Sequence, residues 1–289
     1  MKPLQYIGGN NSTHVQGLTS IIILTYNQVE YTKLCVKSIE SHAVFGHEII
    51  FVDNASTDGS VDYFTLLTEK NEKYILIKNN ENLGYAAGNN KGLQSARGEF
   101  VLIMNNDVLI TKGSIDTLLQ VLKEDKKTAL VGPVTNFANG NQIDFNAKYN
   151  SVKEMTEYAR LRAKEYIGKS KSTNRLVGFC LLGRTELLLS AGGFDEGYGI
   201  GNYEDIDLCR YFISKGYTLK VALGSYVHHF GHVSFDGTSI DYNGLVERNR
   251  KRYEEKWNDI KRPNAEISSR VLLERDSEIK QGNKTGVPV

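Results

Sequence analysis

Three short stretches carry side chains whose types and spacing suit the handling of an anionic ligand and a hydroxyl group. The first is MNNDV, Met104–Val108, where an apolar run ends in Asn105, Asn106 and Asp107. Residues two apart in an extended segment point the same way, so Asn105 and Asp107 are expected to face one ligand. Hard divalent ions take oxygen donors, and Mg2+ uses few protein carboxylates while keeping diphosphate oxygens. The second stretch is GFDEGYGIGNYEDIDLCR, Gly193–Arg210, which gathers Asp195, Glu196, Glu204, Asp205 and Asp207. Its glycines imply a tightly turned loop, and Glu204 and Asp205 fall in the first turn of the following helix. The helix dipole favours acids there for structural reasons alone. A carboxylate held on such a helix, anchored by an apolar stripe of Ile206, Cys209 and Ile213, could also take a proton from an acceptor hydroxyl. The third stretch, SYVHHFGHVSF, supplies His228, His229 and His232, three of the six histidines. One imidazole could complete a divalent site with Asp107, which would tilt the metal from Mg2+ towards Mn2+.

Two further stretches suit a nucleotide. In VDNASTDGS, Val52–Ser60, Asp53 and Asn54 sit at a strand end, where they could hydrogen-bond a planar base. The same residue types also serve as Asx turns and helix caps. In NLGYAAGNN, Asn82–Asn90, Gly84 and Gly88 permit close backbone approach at a helix start, a place suited to phosphate or ribose. The dinucleotide fingerprint G-x-G-x-x-G is absent, which disfavours a dehydrogenase.

The elements that must position these residues alternate. SIIILT (Ser20–Thr25) and EIIFVD (Glu48–Asp53) are short continuous apolar runs, as expected of strands covered on both faces. Asn27 and Glu30 between them have the spacing of a capping box that opens a helix. Further strands are expected at Tyr74–Lys78, Glu99–Met104 and Thr128–Gly132, with helices from about Ser60, over Tyr85–Arg97 and near Ser114–Lys123. This order implies an α/β fold with a mostly parallel sheet and helices on both faces. Ligands on such sheets bind beyond the carboxyl ends of the strands, where the loops after Thr25, Asp53 and Met104 all lie. The second half is expected to hold a polar loop over 133–150, a helix over Val152–Ile167, a strand RLVGFCLLG, a helix from Tyr203, and two segments TLKVAL and SYVHHF. A lead-in over 1–18, a catalytic domain over 19–238 and a helical, polar tail over 239–289, docked through Tyr253 and Trp257, complete the expected organisation.

Composition sets limits. The chain has 289 residues, 40 % hydrophobic and 24 % charged, enough for a sizeable core in one large domain. A formal net charge of +1 disfavours nucleic-acid binding. Cys35, Cys180 and Cys209 are widely spaced and read as buried free thiols of a reducing compartment. No apolar run is long enough to span a bilayer, and the first eighteen residues lack a signal-peptide pattern, so a cytoplasmic protein is expected. The basic stretch Arg248–Arg252 reads as a solvated helix face, with peripheral contact to an anionic membrane surface as the alternative.

Taken in order, IIILTYNQ, VDNASTDGS, NLGYAAGNN, MNNDV, GGFDE and YEDIDLCR resemble family 2 glycosyltransferases of the GT-A fold, in particular the bacterial rhamnosyltransferase-like branch. The likeness runs from Ser20 to about Ser234. It implies an inverting, metal-assisted enzyme of cell-envelope polysaccharide synthesis. Such an enzyme moves a sugar from a UDP- or dTDP-sugar to a glycan, lipid-linked or protein acceptor, in the cytoplasm or at the inner face of the plasma membrane. Thr25, Tyr26, Asn27, Asp53 and Asn54 are then expected to hold the base and ribose. Asn82, Gly84 and Asn89 or Asn90 would line the nucleotide and diphosphate. The triplet Asn105-Asn106-Asp107 resembles the family's D-x-D motif, with Asp107 as ligand of Mn2+ or Mg2+ and Asn105 in place of the first carboxylate. Glu204–Asp205 matches the segment bearing the catalytic base, with Asp205 in that role. His228 or His229 matches a metal-binding position. Two other functions compete. A sugar-nucleotide nucleotidyltransferase would need a Gly-rich basic loop after the first strand, which TYNQVEY does not offer. A non-catalytic sugar-nucleotide or glycan-binding module would have no need of Asp107, Glu204, Asp205 and the histidines together.

Overall fold

The computed structural model describes residues 14–138, 140–231 and 241–258. Its first half alternates: β1 (Val15–Thr25), α1 (Val29–His42), β2 (His47–Asp53), α2 (Ser60–Lys70), β3 (Tyr74–Lys78), α3 (Gly84–Ser95) and β4 (Gly98–Asn105). Ile21, Ile22 and Ile23 in β1 and Ile49, Ile50, Phe51 and Val52 in β2 are fully buried, as continuous apolar runs require when helices cover both faces. Alternate residues face opposite ways. Ile22, Ile50, Val101 and Ile103 meet Ala86 and Leu93 of α3, while Ile21, Ile23, Phe51 and Leu102 meet Val36 and Ile39 of α1 and Phe64 of α2. The four strands are parallel in the order β3-β2-β1-β4. Thr25 pairs with Asp53, Asp53 with Lys78, and Leu24 with Asn105, so all four chains leave the sheet at one level.

The second half continues the same sheet: β5 (Val108–Ile110), α4 (Ser114–Glu124), β6 (Thr128–Thr135), α5 (Val152–Glu165), β7 (Ser170–Thr173), β8 (Cys180–Arg184), α6 (Thr185–Ser190), α7 (Glu204–Ser214), β9 (Thr218–His229) and α8 (Tyr242–Lys256). β8 lies antiparallel between β4 and β6; β9 is parallel to β6 and antiparallel to β5 and β7. The sheet is therefore mixed rather than parallel throughout. The architecture is α/β, with helices on both faces, as expected.

Several local expectations change. RLVGFCLLG is not one strand; pairing starts at Cys180. The preceding amides are bound by side chains instead: Leu176 N by Cys209 Sγ, Val177 N by Gln142 Oε1 and Gly178 N by Asp205 Oδ2. TLKVAL and SYVHHF form one strand, β9, whose register against β6 shifts between Gly132 and Val134. The short β5 had no sequence signal. α1 is not opened by a capping box. Gln28 precedes it in a left-handed conformation, and the amide of Val29 is held by Asp58 from the loop after β2. β1 starts inside the expected lead-in, where Val15 N donates to Arg97 O and Gly17 N to Glu99 Oε2. α7 buries Leu208, Cys209 and Phe212, while Ile206 and Ile213 are only half-buried. The three cysteines are free and buried. Among the described residues no helix is long and apolar enough to cross a membrane.

Candidate functional site

The level rim of the parallel strands sets the frame of the site. Thr25 and Asp53 are register partners, so their side chains share a face. Asp53 Oδ2 accepts from Ser56 N at 3.0 Å, while its Oδ1 and the Thr25 hydroxyl are buried without a partner. Tyr26 and Asn27 follow, both half-buried. Asn27 stitches two loops: its Oδ1 accepts from Thr57 N at 2.8 Å, and its own amide donates to Ser56 Oγ. Asn54 is fully engaged. Its amide nitrogen donates to Asn82 Oδ1 and Gly84 O, and its oxygen accepts from Asn79.

The N-terminus of α3 is only partly available for a phosphate. Gly84 N donates to Asn82 Oδ1, and Tyr85 N donates to Ile200 O at 2.9 Å. Asn90 clamps the loop after α6 through Phe194 N, Phe194 O and Glu196 Oε1. Asn89 lies one residue away. Its amide nitrogen donates to Tyr85 O, and its oxygen is buried and unpartnered.

At the end of β4 the chain turns at Asn106–Asp107 instead of continuing extended. The alternation argument for Asn105 and Asp107 therefore does not apply. Asn105 is half-buried at the rim, its amide bonded to Phe179 O. Asn106 points inward, donating to Asn27 O and Thr32 Oγ1. Asp107 is buried, and its Oδ1 stands 3.3 Å from Nε2 of His229. Adjacent strand residues face opposite ways, so His228 points elsewhere. Its Nδ1 meets the Tyr149 hydroxyl at 2.6 Å and its Nε2 is buried without a partner. Burial, with the neighbouring His229, pushes His228 down to about 4, so it is neutral. His232 lies outside the described residues.

His229 is held from several directions. Its Nδ1 lies 2.9 Å from Phe137 O, and since a carbonyl only accepts, that nitrogen carries the proton. Its ring stacks on Phe179 at 5.0 Å, and Asn136 brackets its backbone with two hydrogen bonds. Burial opposes charge on His229, but the Asp107 carboxylate outweighs it and raises the imidazole above its usual range. Burial likewise opposes charge on Asp107, and His229 outweighs it and lowers the carboxyl. Among the described residues no group of three or more His, Cys, Asp or Glu forms a metal cage. The pair Asp107 Oδ1 and His229 Nε2 nevertheless fits a divalent ion that takes its remaining ligands from diphosphate and water. The donors are one carboxylate oxygen and one imidazole nitrogen, the latter oriented by a carbonyl behind it.

The acidic helix meets the same rim. Asp205 Oδ2 accepts from Gly178 N at 2.9 Å, and Oδ1 from Ile206 N at 2.7 Å. Gly178 adjoins Phe179, which stacks on His229, so Asp205 and Asp107 are joined through two consecutive residues and one ring. The Tyr85 hydroxyl donates to Gly178 O and links α3 to the same point. Glu204 is buried beside Asp205 with Oε2 unpartnered. Burial first, and the Asp205 charge second, push its carboxyl up to about 8. Gly178, Phe179, Tyr85, Asn136 and Asp58 escaped the sequence reading. Tyr85 and Asp58 lay inside quoted motifs and Gly178 and Phe179 inside an expected strand, but each acts across a long sequence separation that leaves no local signal.

Buried polar side chains without partners are uncommon in folded proteins and ask for an explanation. Six of the eleven such atoms among the described residues lie on residues singled out from sequence: Thr25 Oγ1, Asp53 Oδ1, Asn89 Oδ1, Asp107 Oδ1, Glu204 Oε2 and His228 Nε2. A shallow cavity of about 440 Å³ lies elsewhere, at the opposite end of β9, lined by Thr173, Tyr217 and Thr218. It holds none of these groups.

The fold is shared with solved glycosyltransferases and is of the GT-A class. GalNAc-T7, solved with UDP, GalNAc and Mn2+, superposes with a TM-score of 0.64 at 15 % identity, over 82 % of this chain and 47 % of that one. S. aureus TarS residues 1–349, solved with UDP-GlcNAc, gives 0.60 at 16 % identity, over 86 % and 68 %. The family model described as Glycosyl transferase family 2 matches residues 20–189, and the chain belongs to that family. In sequence it is similar to the glycosyltransferase GlyG of Streptococcus pneumoniae serotype 4, 28 % identical over 129 residues. That match covers 45 % of this chain and 42 % of GlyG, so the chain spans less than half the length of this relative.

Proposed function

We propose that this chain is an inverting, metal-assisted glycosyltransferase that moves a hexose or rhamnose from a UDP- or dTDP-sugar to a hydroxyl of a glycan, lipid-linked or protein acceptor. It would do so in the cytoplasm, including the inner face of the plasma membrane. The carrying observation is the concentration of unpartnered buried polar atoms along one rim, from Thr25 and Asp53 to Asp107 and Glu204. UDP with GalNAc-T7 and UDP-GlcNAc with TarS support a nucleotide-sugar donor; the rhamnosyltransferase-like branch is supported by the sequence motifs.

In this reading Asp53 Oδ1 and the Thr25 hydroxyl bind the base and ribose, and Asn89 and Asn82 lie along the nucleotide. Asp107 and His229 hold the divalent cation, which supplies positive charge to the departing diphosphate. Asp205, oriented by two backbone amides, takes the proton of the acceptor hydroxyl. The acceptor oxygen then bonds to the anomeric carbon on the face opposite the diphosphate, and the old carbon–oxygen bond breaks with its electrons leaving on the diphosphate. Glu204 keeps its proton near neutral pH and donates a hydrogen bond to the substrate. The two adjacent carboxyl groups thus take different roles through different environments.

A thermal-shift screen tests the donor. UDP-glucose, UDP-GlcNAc, dTDP-rhamnose and GDP-mannose are each added with Mn2+, and binding of one raises the melting temperature by mass action. A chain that responds to none of them, nor to UDP or dTDP alone, would not be a nucleotide-sugar enzyme.

A further inference from the structure

We infer that α8 is a strap that fixes the loop carrying Glu204 and Asp205, and that Asn249 is its positioning residue; the catalytic half of this inference rests on the function proposed above. The loop from Tyr198 to Tyr203 is poorly suited to hold itself. Asn202 and Tyr203 both adopt left-handed conformations, φ 73° and 78°, which side chains other than glycine seldom take without outside restraint. Three of its carbonyls, Tyr198 O, Gly201 O and Asn202 O, converge on the amide nitrogen of Asn249 at 2.9, 2.8 and 3.0 Å. Asn249 is fully buried. Glu204 begins α7 immediately after this loop.

A second anchor lies beside the first. Asp207 Oδ1 accepts from Tyr198 Oη at 3.1 Å and from Trp257 Nε1 at 2.8 Å, and its Oδ2 from Lys256 Nζ at 2.7 Å. Lys256 and Arg252 also reach Asp195, three residues before the loop. The third carboxylate of the EDID run is therefore an anchor. On its far side the loop meets α3, where Tyr85 N donates to Ile200 O. The loop is thus gripped between α8 and the nucleotide-side helix. α8 buries only Leu245 and Asn249, so it adds little to the apolar core; it reaches the loop through Asn249 and the Tyr253–Tyr203 ring contact, and the flanking Asp195 and Asp207 through Arg252 and Lys256.

Asn249→Ala in the 289-residue chain removes the grip without touching the rim. Deuterium uptake is expected to rise in peptides covering 196–206 and to stay at the parent level in β1, β2 and β4. Affinity for UDP with Mn2+ should remain within about threefold, while nucleotide release from the donor found by the screen falls on the order of a hundredfold, as for a catalytic group displaced by about 1 Å. Lys256→Met, at a partly exposed position, should give the same pattern more weakly and serves if Asn249→Ala does not fold. Unchanged uptake over 196–206 in a folded variant overturns the inference. So does exchange rising uniformly through the sheet with UDP affinity lost in step, because α8 would then be general packing. If the parent binds no nucleotide, the proposed function fails, while the uptake in 196–206 still decides whether α8 is a strap.

Discussion

His229 Nε2 and Asp107 Oδ1 face each other at 3.3 Å beside the β5–β9 ladder, at ion-pair distance but without the alignment of a hydrogen bond. Phe137 O holds one proton of His229 on Nδ1, and the Asp107 carboxylate favours a second on Nε2; a divalent ion bound there would displace that second proton and use the Nε2 lone pair. In the proposed function a divalent cation takes the place of that proton.

Asp107→Ala and His229→Ala should therefore abolish the gain in UDP affinity that Mn2+ gives the parent, a loss of about tenfold or more on the scale of disturbed metal sites. His228→Ala, on the opposite face of the strand, should keep most of that gain. Calorimetric titration with and without Mn2+ measures it. A loss confined to His228→Ala would reverse the assignment.

Glu204 makes stability depend on pH. Its folded carboxyl is pushed up to about 8, from an ordinary 4.5, by burial and then by Asp205. The native chain keeps a proton that the unfolded chain releases above about pH 4.5, so stability falls as pH rises between the two values and levels off beyond the upper one. Glu204→Gln cannot ionise. Its melting temperature should gain on the parent progressively from pH 5 to 8, by about 2–4 °C for each kcal/mol in a chain of this size. Parallel melting curves across that range would show that Glu204 is not held protonated by the fold.

Gly84 tests the contact between the nucleotide-side helix and the acidic loop. It sits at φ 80°, and a Cβ there would run into Gly199 O. Gly84→Ala should destabilise the chain by about 1–3 kcal/mol from the backbone conformation alone, more with the clash. Gly113, at φ 76° with open space around it, is the control: Gly113→Ala carries the conformational cost without the clash. Equal losses in the two variants would mean that the α3–loop contact yields freely.

The strands of the first half were legible because burial on both faces writes continuous apolar runs: Ile21–Ile23 and Ile49–Val52 declare themselves. Asp53 and Asp107 were legible because a polar residue ending such a run must lie at the sheet's edge. What was not legible depends on partners far away in sequence. The cap of α1 comes from Asp58, the start of β8 is set by preceding amides held by Cys209, Gln142 and Asp205, and the loop before α7 is held by Asn249. The pair His228 and His229 could not be separated by spacing, and β9 divides them simply by pointing neighbouring side chains in opposite directions.

In the proposed function Asp205 removes a proton from an acceptor at a rim that binds the nucleotide independently. Asp205→Asn keeps the size of the side chain and one acceptor oxygen, enough for Gly178 N, and loses the basicity together with the acceptor for Ile206 N. Calorimetry with UDP and Mn2+, paired with a turnover assay on the same preparation, reads both halves at once. Nucleotide affinity close to that of the parent with transfer reduced to background is the expected result; transfer near the parent rate would remove Asp205 from the reaction.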